Sequence, residues 1–259
     1  MKTISIMNVK GGVGKTTTAV NLATILASER ETRTLLIDAD AQGDATSILS
    51  NLGEGELEGF GLYGLLNTCG CYDEYVEPTR YRNLDLMPAS DDQFSLGIDQ
   101  ADKVRRAMGD LIACIDEDQS YDLVLIDCPP HFNACSVAAI CCSDVVIIPV
   151  KLDAFSVSGY RYLLRQIEEM QAYLSREVEV IILPTMYTVG DACCQQAIQL
   201  LTDNLPLYVS IAGTQIRSTP KVNESTFYGL PVCEYSKFSS AGRDYRDFAA
   251  DLALRLRRD

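Results

Sequence analysis

The feature that most constrains this sequence is a glycine-rich stretch near its N-terminus, Lys10-Gly11-Gly12-Val13-Gly14-Lys15-Thr16-Thr17. It follows an apolar run at Ile4–Met7 that predicts a strand, and it leads into a segment with helical apolar spacing. A strand, a glycine-rich loop and a helix in this order predict a phosphate-binding loop. Glycines allow consecutive N–H groups to point at one anion, and the helix adds its positive N-terminal end.

The polar residues of this loop indicate a nucleoside triphosphate with magnesium. Lys15 supplies a point charge for the β- and γ-phosphates of ATP, and the Thr16 hydroxyl supplies a ligand for Mg²⁺. The loop departs from the general pattern G-x-x-x-x-G-K-T at its beginning, where Lys10-Gly11-Gly12 stands instead. An ordinary phosphate loop has no requirement for a second lysine at that point.

Apolar runs that predict strands alternate with helical stretches along the rest of the chain. This pattern predicts an α/β fold with a doubly wound, mostly parallel sheet flanked by helices, in a single domain over residues 1–259. Residues 51–82 are expected to form an irregular insertion with one short helix near Leu62–Leu66. The predicted strands are Ile4–Met7, Thr34–Ile37, Leu84–Pro88, Leu123–Asp127, Val145–Pro149, Val178–Leu183 and Leu207–Ile211. The other predicted helices are Thr16–Ser28, Lys103–Ile115, Tyr160–Leu174, Cys193–Leu201 and Asp244–Leu256.

The whole stretch from Lys10 to Thr17 resembles the deviant Walker A motif of the superfamily that contains ParA, MinD and the nitrogenase iron protein. The resemblance implies a P-loop NTPase that hydrolyses ATP as a nucleotide-sandwich homodimer. In that superfamily the early lysine reaches across the dimer interface to the partner's nucleotide, and the resemblance implies this catalytic role for Lys10. The residues between Lys10 and Thr17 are then the phosphate-binding set.

Two further stretches resemble the switch regions of ParA proteins. The segment Asp38-Ala39-Asp40-Ala41-Gln42-Gly43-Asp44-Ala45-Thr46 is similar to the family's second motif, with Ala41 for the usual proline and Asp44 for the usual asparagine. By this resemblance Asp40 orients or activates the attacking water, and Asp38 contributes near the metal. Leu123–Asp127 followed by Cys128-Pro129-Pro130 resembles Walker B, which implies that Asp127 holds Mg²⁺.

A looser resemblance suggests where the base binds. Leu183-Pro184-Thr185-Met186-Tyr187 and the segment from Ile216 to Pro231 follow the family's order of elements. Met186, Ile216 and Arg217 are therefore expected to contact the nucleotide base. His131 lies where the family commonly has serine, so the sequence leaves open both a role in the site and a bystander position on the loop.

As a whole, the chain resembles ParA/Soj-type partition ATPases. The resemblance implies ATP-dependent dimerisation, non-specific DNA association, and release when a ParB-like centromere-binding partner stimulates hydrolysis. A net charge of −14 argues against a broad nucleic-acid surface. From Arg217 onward, however, basic residues outnumber acidic ones, and the candidates for DNA contact are Arg217, Lys221, Arg243 and Arg246.

Three other functions remain open at this stage. A ParA-like ATPase that positions a protein cargo would have the same core, because the cargo is recognised by surface residues. A MinD-like membrane-associated ATPase needs a basic amphipathic C-terminal helix, whereas the last helix here carries Asp244, Asp247 and Asp251. An iron–sulfur carrier is supported only by the ten cysteines, which show no C-x-x-C pair. With no long apolar stretch and no signal peptide, we expect a cytoplasmic protein without membrane association, bound to the nucleoid if it binds DNA.

Overall fold

The strands form one twisted sheet. A computed structural model describes residues 1–68, 70–175, 177–203 and 205–257, with the side chains of 54 and 154–158 left out. Among these residues the sheet has eight strands in the order β3-β4-β2-β5-β1-β6-β7-β8. All described neighbours are parallel except the edge pair of β3 and β4. The strands are β1 Lys2–Ile6, β2 Thr34–Asp38, β3 Glu77–Pro78, β4 Leu84–Met87, β5 Leu123–Asp127, β6 Val145–Lys151, β7 Glu179–Thr185 and β8 Val209–Ile211.

Helices cover both faces of this sheet, which confirms the predicted doubly wound α/β fold. The helices are α1 Lys15–Arg30, α2 Asp44–Leu49, α3 Gly61–Asn67, α4 Ala101–Asp118, α5 Ala134–Cys142, α6 Ala154–Leu174, α7 Ala192–Thr202, α8 Pro220–Phe227, α9 Val232–Tyr235 and α10 Ser240–Leu256. One core packs the sheet against α3 to α7, and the other packs it against α1, α2, α9 and α10. Successive residues of β5 alternate between the two cores, as expected for a strand that is buried on both faces.

The sequence missed several short elements. Helix α5 is almost entirely apolar, so it lacks the two-sided pattern that identifies a surface helix. Helices α2 and α9 have only six and four residues, too few for a periodic signal. The insertion contains the predicted short helix as α3, but it also contributes β3, the antiparallel edge strand.

The C-terminal helix α10 docks on the domain through its apolar face. Tyr245, Phe248, Ala249 and Leu252 are buried against the core that contains α1, as the sequence predicts for a docking helix. A membrane-binding helix needs such a face to be available to lipid. Among the described residues, no helix combines the length and the apolar character that crossing a bilayer requires.

The topology brings the functional stretches to one edge of the sheet. Strand β1 lies between β5 and β6, and β2 pairs with the other side of β5. The loops that follow β1, β2 and β5 therefore leave from the same carboxyl edge, where open parallel sheets bind ligands.

Candidate nucleotide site

The predicted phosphate loop links β1 to α1 and presents an open concave surface. Gly12 and Gly14 have φ angles of 69° and 91°, in the left-handed region that glycine adopts without steric cost. A Cβ atom built on Gly11, Gly12 or Gly14 would meet no other heavy atom within 4 Å. Helix α1 begins at Lys15 with no side-chain cap and no acidic residue in its first turn. Its N-terminal N–H groups thus remain available to an anion.

Residues outside the motif fix the backbone of this loop. The Asn8 side chain donates to the carbonyl of Pro149 at 2.8 Å and accepts from the N–H of Lys10 at 3.0 Å. The Thr185 hydroxyl donates to the carbonyl of Val13 at 2.9 Å. Sequence reasoning missed both side chains, although a polar residue directly after a buried strand is a usable signal in the case of Asn8.

The two lysines of the loop have different surroundings. Lys15 is 93% buried, and its ammonium lies 3.5 Å from the carbonyl of Lys10. Burial lowers the pKa of Lys15, while Asp127 and Asp40 oppose that shift. Lys10 is half-buried, and its ammonium forms an ion pair with Asp153 at 3.2 Å. Lys151 pairs with the other oxygen of Asp153 at 3.3 Å, so two cations share this carboxylate.

Asp38 and Asp127 lie side by side at the ends of β2 and β5. They are register partners in the sheet, and both are completely buried. Asp38 accepts hydrogen bonds from the N–H and hydroxyl of Thr46, both at 2.8 Å, and from the N–H of Asp40 at 3.2 Å. Neither oxygen of Asp127 accepts a hydrogen bond of normal geometry from a described residue, although the Thr16 hydroxyl lies close enough to oppose the rise in its pKa. Burial, with the neighbouring charge of Asp38, raises the pKa of Asp127 well above its ordinary value.

Asp40 begins a tight turn into α2. Its side chain accepts from the N–H of Gln42 at 3.1 Å, and its carbonyl accepts from the N–H of Gly43 at 2.9 Å. Gly43 precedes α2 with a φ of 65°. Asp44, a departure from the family pattern, lies in the first turn of α2, where a negative charge is favourable. The loop therefore holds Asp40 beside the lysine and carboxylates of the site.

A cavity of about 380 Å³ adjoins the phosphate loop on the side of β7, away from β2. The three predicted base contacts, Met186, Ile216 and Arg217, all line it together with Gly14 and Thr17 of the loop and helix α1. Met186 has a φ of 55°, which is unusual outside glycine. Sequence reasoning missed further lining residues, which are Thr219, Pro220, Asn223 and Tyr245.

The four candidate DNA contacts differ in whether they form ion pairs within the chain. Arg217 pairs with Asp244, Lys221 pairs with Glu224, and Arg246 pairs with Glu29. Arg246 also donates to the carbonyls of Lys237, Gly242 and Cys233, so all of its nitrogens are engaged. Arg243 is exposed and forms no ion pair with the part of the chain that the structure describes. His131 is exposed as well, and its ring forms a hydrogen bond with the Asn133 side chain at 3.5 Å.

No group of three or more His, Cys, Asp or Glu residues that could hold a metal ion occurs within the described ranges. Mg²⁺ at a phosphate site does not need such a group, because it takes one or two protein oxygens together with phosphates and waters. The unpartnered carboxylate of Asp127 fits this requirement.

The comparisons with known proteins agree with this geometry. The family model described as AAA domain matches residues 1–180. The chain is 31% identical over 263 residues to the chromosome partitioning protein ParA of Caulobacter vibrioides, covering 99% of this chain and 96% of that protein. It is 31% identical over 253 residues to the sporulation initiation inhibitor protein Soj of Bacillus subtilis, covering 97% and 98%.

A solved structure shows the same fold. The crystal structure of cobyrinic acid a,c-diamide synthase from Mycobacterium smegmatis with bound ADP and magnesium matches with a TM-score of 0.82 at 23% identity. The match covers 99% of this chain and 96% of that chain. At this level of identity the likeness concerns the fold.

Proposed function

Because this chain belongs to the ParA/Soj family of partition ATPases, we propose that it is a magnesium- and ATP-dependent dimerising ATPase. Its nucleotide state controls non-specific association with DNA, and a ParB-like centromere-binding partner stimulates hydrolysis. It acts in the partitioning of a plasmid or chromosome.

One observation carries the proposal of a magnesium nucleotide site. Asp127 is a completely buried carboxylate that accepts no hydrogen bond of normal geometry from a described residue, and it lies beside an open glycine loop with the Thr16 hydroxyl nearby. A buried charge without a partner is costly, so it is expected where a ligand provides the partner. Thr16 and Asp127 would hold Mg²⁺, with Asp38 behind them. When bound, the ion neutralises charge on the phosphate oxygens.

The chain's own groups would divide the remaining work between binding and positioning. The N–H groups from Gly11 to Thr17 bind the phosphates, and buried Lys15 places its charge on the β- and γ-phosphates. Asp40 holds the attacking water in line with the γ-phosphate, because phosphoryl transfer depends mainly on positioning and charge stabilisation.

Lys10 would complete the partner's site in an ATP-bound dimer. Its ammonium is half-buried and is held by Asp153, so dimerisation would exchange this ion pair for contact with the partner's phosphates. We expect Lys10→Ala to bind ATP normally and to lose the ATP-dependent dimer. Lys151→Ala is the matched control, since it removes the other cation on Asp153. A Lys10→Ala protein that still dimerises with ATP would contradict this role.

Of the four candidates, Arg243 is the best supported DNA contact, because the other three are engaged in ion pairs. Exposed Lys237 has no ion pair with a described residue either, and it adds a second candidate that the sequence analysis did not select. The net charge of −14 favours a second candidate function, a ParA-like ATPase that positions a protein cargo.

DNA binding by a hydrolysis-deficient protein tests the proposal. Asp40→Ala is expected to bind ATP without hydrolysing it, and Asp44→Asn in the same loop is the matched control. Each protein is mixed with ATP and Mg²⁺ and titrated with non-specific duplex DNA at two salt concentrations. Salt-sensitive binding that requires ATP supports the partition ATPase. An ATP-dependent dimer that ignores DNA would overturn the DNA step and favour a protein cargo.

A further inference from the structure

One wall of the base cavity contains Arg217, which forms a two-pronged ion pair with Asp244. The side chain of Asp244, on α10, is only 6% exposed. It accepts from the Arg217 side chain through Nε, at 2.9 and 3.1 Å, and through Nη2 at 2.6 Å. It also accepts from the backbone N–H of Arg217 at 2.8 Å. A two-pronged pair of this kind fixes the plane of a guanidinium as well as its position.

The same pair anchors the backbone around the cavity. The neighbours of Arg217 join the end of β7, because Tyr187 donates to the carbonyl of Ile216 at 3.0 Å and Ser218 donates to the carbonyl of Tyr187 at 2.9 Å. These bonds hold the strand end that carries Met186 in its left-handed conformation. Through its bonds to Arg217, Asp244 therefore stabilises two segments that line the cavity, the one around Ile216 and the end of β7 that carries Met186.

The next residue on α10 connects the cavity to the phosphate side. The Tyr245 hydroxyl is 3.2 Å from the hydroxyl of Thr18 on α1, and both residues are buried. Tyr245 also lines the base cavity. The first turns of α10 thus contact the base side through Asp244 and the helix of the phosphate loop through Tyr245.

We propose that Asp244 is a positioning residue for base recognition, holding the Arg217 guanidinium in the cavity wall where it contacts the purine base of the bound nucleotide. This inference depends on the proposed nucleotide site. A planar guanidinium stacks on aromatic rings and donates to ring nitrogens. Asp244 engages Nε and Nη2, while Nη1 makes no hydrogen bond to any residue that the structure describes, so it remains available to the base.

Nucleotide binding with and without a base tests this proposal. Dissociation constants for Mg-ATP and for inorganic tripolyphosphate are measured for the full chain and for Asp244→Asn, Arg217→Gln and the double variant. Asp251→Asn, an exposed carboxylate on the same helix, is the control. Asp244→Asn and Arg217→Gln should each weaken ATP binding about tenfold, the loss expected for a charged hydrogen bond. Tripolyphosphate binding should stay within about twofold, because the phosphate loop is untouched.

The double variant tests whether the two residues act as a unit. If Asp244 acts through Arg217, the double variant should bind ATP no more weakly than either single variant. In each variant the KM for ATP should rise by a larger factor than kcat falls, because a contact to the base contributes to binding. Arg217→Gln alters a partly exposed side chain, so it remains informative if Asp244→Asn does not fold.

Three results would overturn the proposal. Unchanged ATP binding would show that the pair does not contact the base. An equal loss of tripolyphosphate binding would assign the pair a purely structural role. Additive losses in the double variant would show that Asp244 does not act through Arg217. Failure of the unaltered protein to bind ATP at all is a separate outcome, because it would reject the proposed nucleotide site itself.

Discussion

The phosphate side of the candidate site combines local hydrogen bonds within its motifs with long-range ones, whereas the ion pair on the base side is long-range. Asn8 accepts from the N–H of Lys10 and Asp38 accepts from the N–H of Asp40, each two residues away. Pro149 and Thr185 join the same loop from distant strands. On the base side, Arg217 depends on Asp244, which lies 27 residues further along. The local hydrogen bonds follow from the sequence of the motif itself, whereas the ion pair of Arg217 with Asp244 forms only after α10 has docked.

The two sides also differ in which groups compensate their buried charged side chains. Lys15 and Asp127 on the phosphate side are buried charges whose full set of partners includes a ligand, according to our proposal. Arg217 and Asp244 on the base side satisfy each other within the chain. Changes on the phosphate side should therefore affect nucleotide binding most, and changes near α10 should affect both binding and stability.

The largest effect is expected from Lys15→Gln, which removes the buried cation of the phosphate loop. ATP and tripolyphosphate should both bind about 100-fold more weakly, since a charged contact to phosphate is lost in a site shielded from water. Equilibrium titration with both ligands measures this. Lys103→Gln, which alters an exposed side chain of α4, is the control. A loss confined to ATP would contradict the division between the two sides.

The strand, the glycine loop and the helix of the phosphate side were predicted from the sequence because these features are local, although Asn8 and Thr185 were missed. Glycine positions, the strand before them and the helix after them specify the loop locally. The order of apolar runs likewise predicted every sheet strand except the two-residue β3, which has no apolar alternation of its own. The same reasoning placed Met186, Ile216 and Arg217 at the cavity by resemblance alone.

The remaining features required the folded chain. Asp244 appears in the sequence as one of several acidic residues on an amphipathic helix, and nothing local distinguishes it from Asp251. Its burial follows from where α10 docks on the sheet. Likewise, Arg246 looks like a surface cation in the sequence, but its guanidinium pairs with Glu29 and donates hydrogen bonds to three carbonyls. Such pairings depend on long-range packing.

A smaller effect should distinguish the two neighbouring carboxylates on the phosphate side. We expect Mg²⁺ to strengthen ATP binding about tenfold, and Asp127→Asn should lose most of this gain because an amide is a poor ligand for the ion. Asp38→Asn should instead lower the free energy of unfolding by about 1–3 kcal/mol, since it disrupts the bonds from Thr46. Denaturant unfolding in EDTA and ATP titrations with and without Mg²⁺ measure both quantities.

These two variants control for each other, because the residues are register partners with equal burial. If Asp38→Asn abolished the strengthening of ATP binding by Mg²⁺ while Asp127→Asn left it intact, the metal ligand would have to be reassigned from Asp127 to Asp38 at the end of β2. Equal destabilisation by both variants would show that Asp127 has a structural partner in the folded chain.

The smallest effect on stability is expected at Arg243, one of two arginines on α10 that are alike in sequence. Arg246→Gln should lower the free energy of unfolding by about 1–3 kcal/mol, because Glu29 and several carbonyls lose a charged donor. Arg243→Gln should change stability by less than about 0.5 kcal/mol, as for an exposed residue without such contacts. Only Arg243→Gln should weaken DNA binding by the ATP-bound protein, with a shallower dependence on salt. A loss of DNA binding in Arg246→Gln without a loss of stability would contradict this assignment. The Arg246 guanidinium would then have to release its partners within the chain in order to bind a DNA phosphate, so its contacts on α10 would change between two states of the protein.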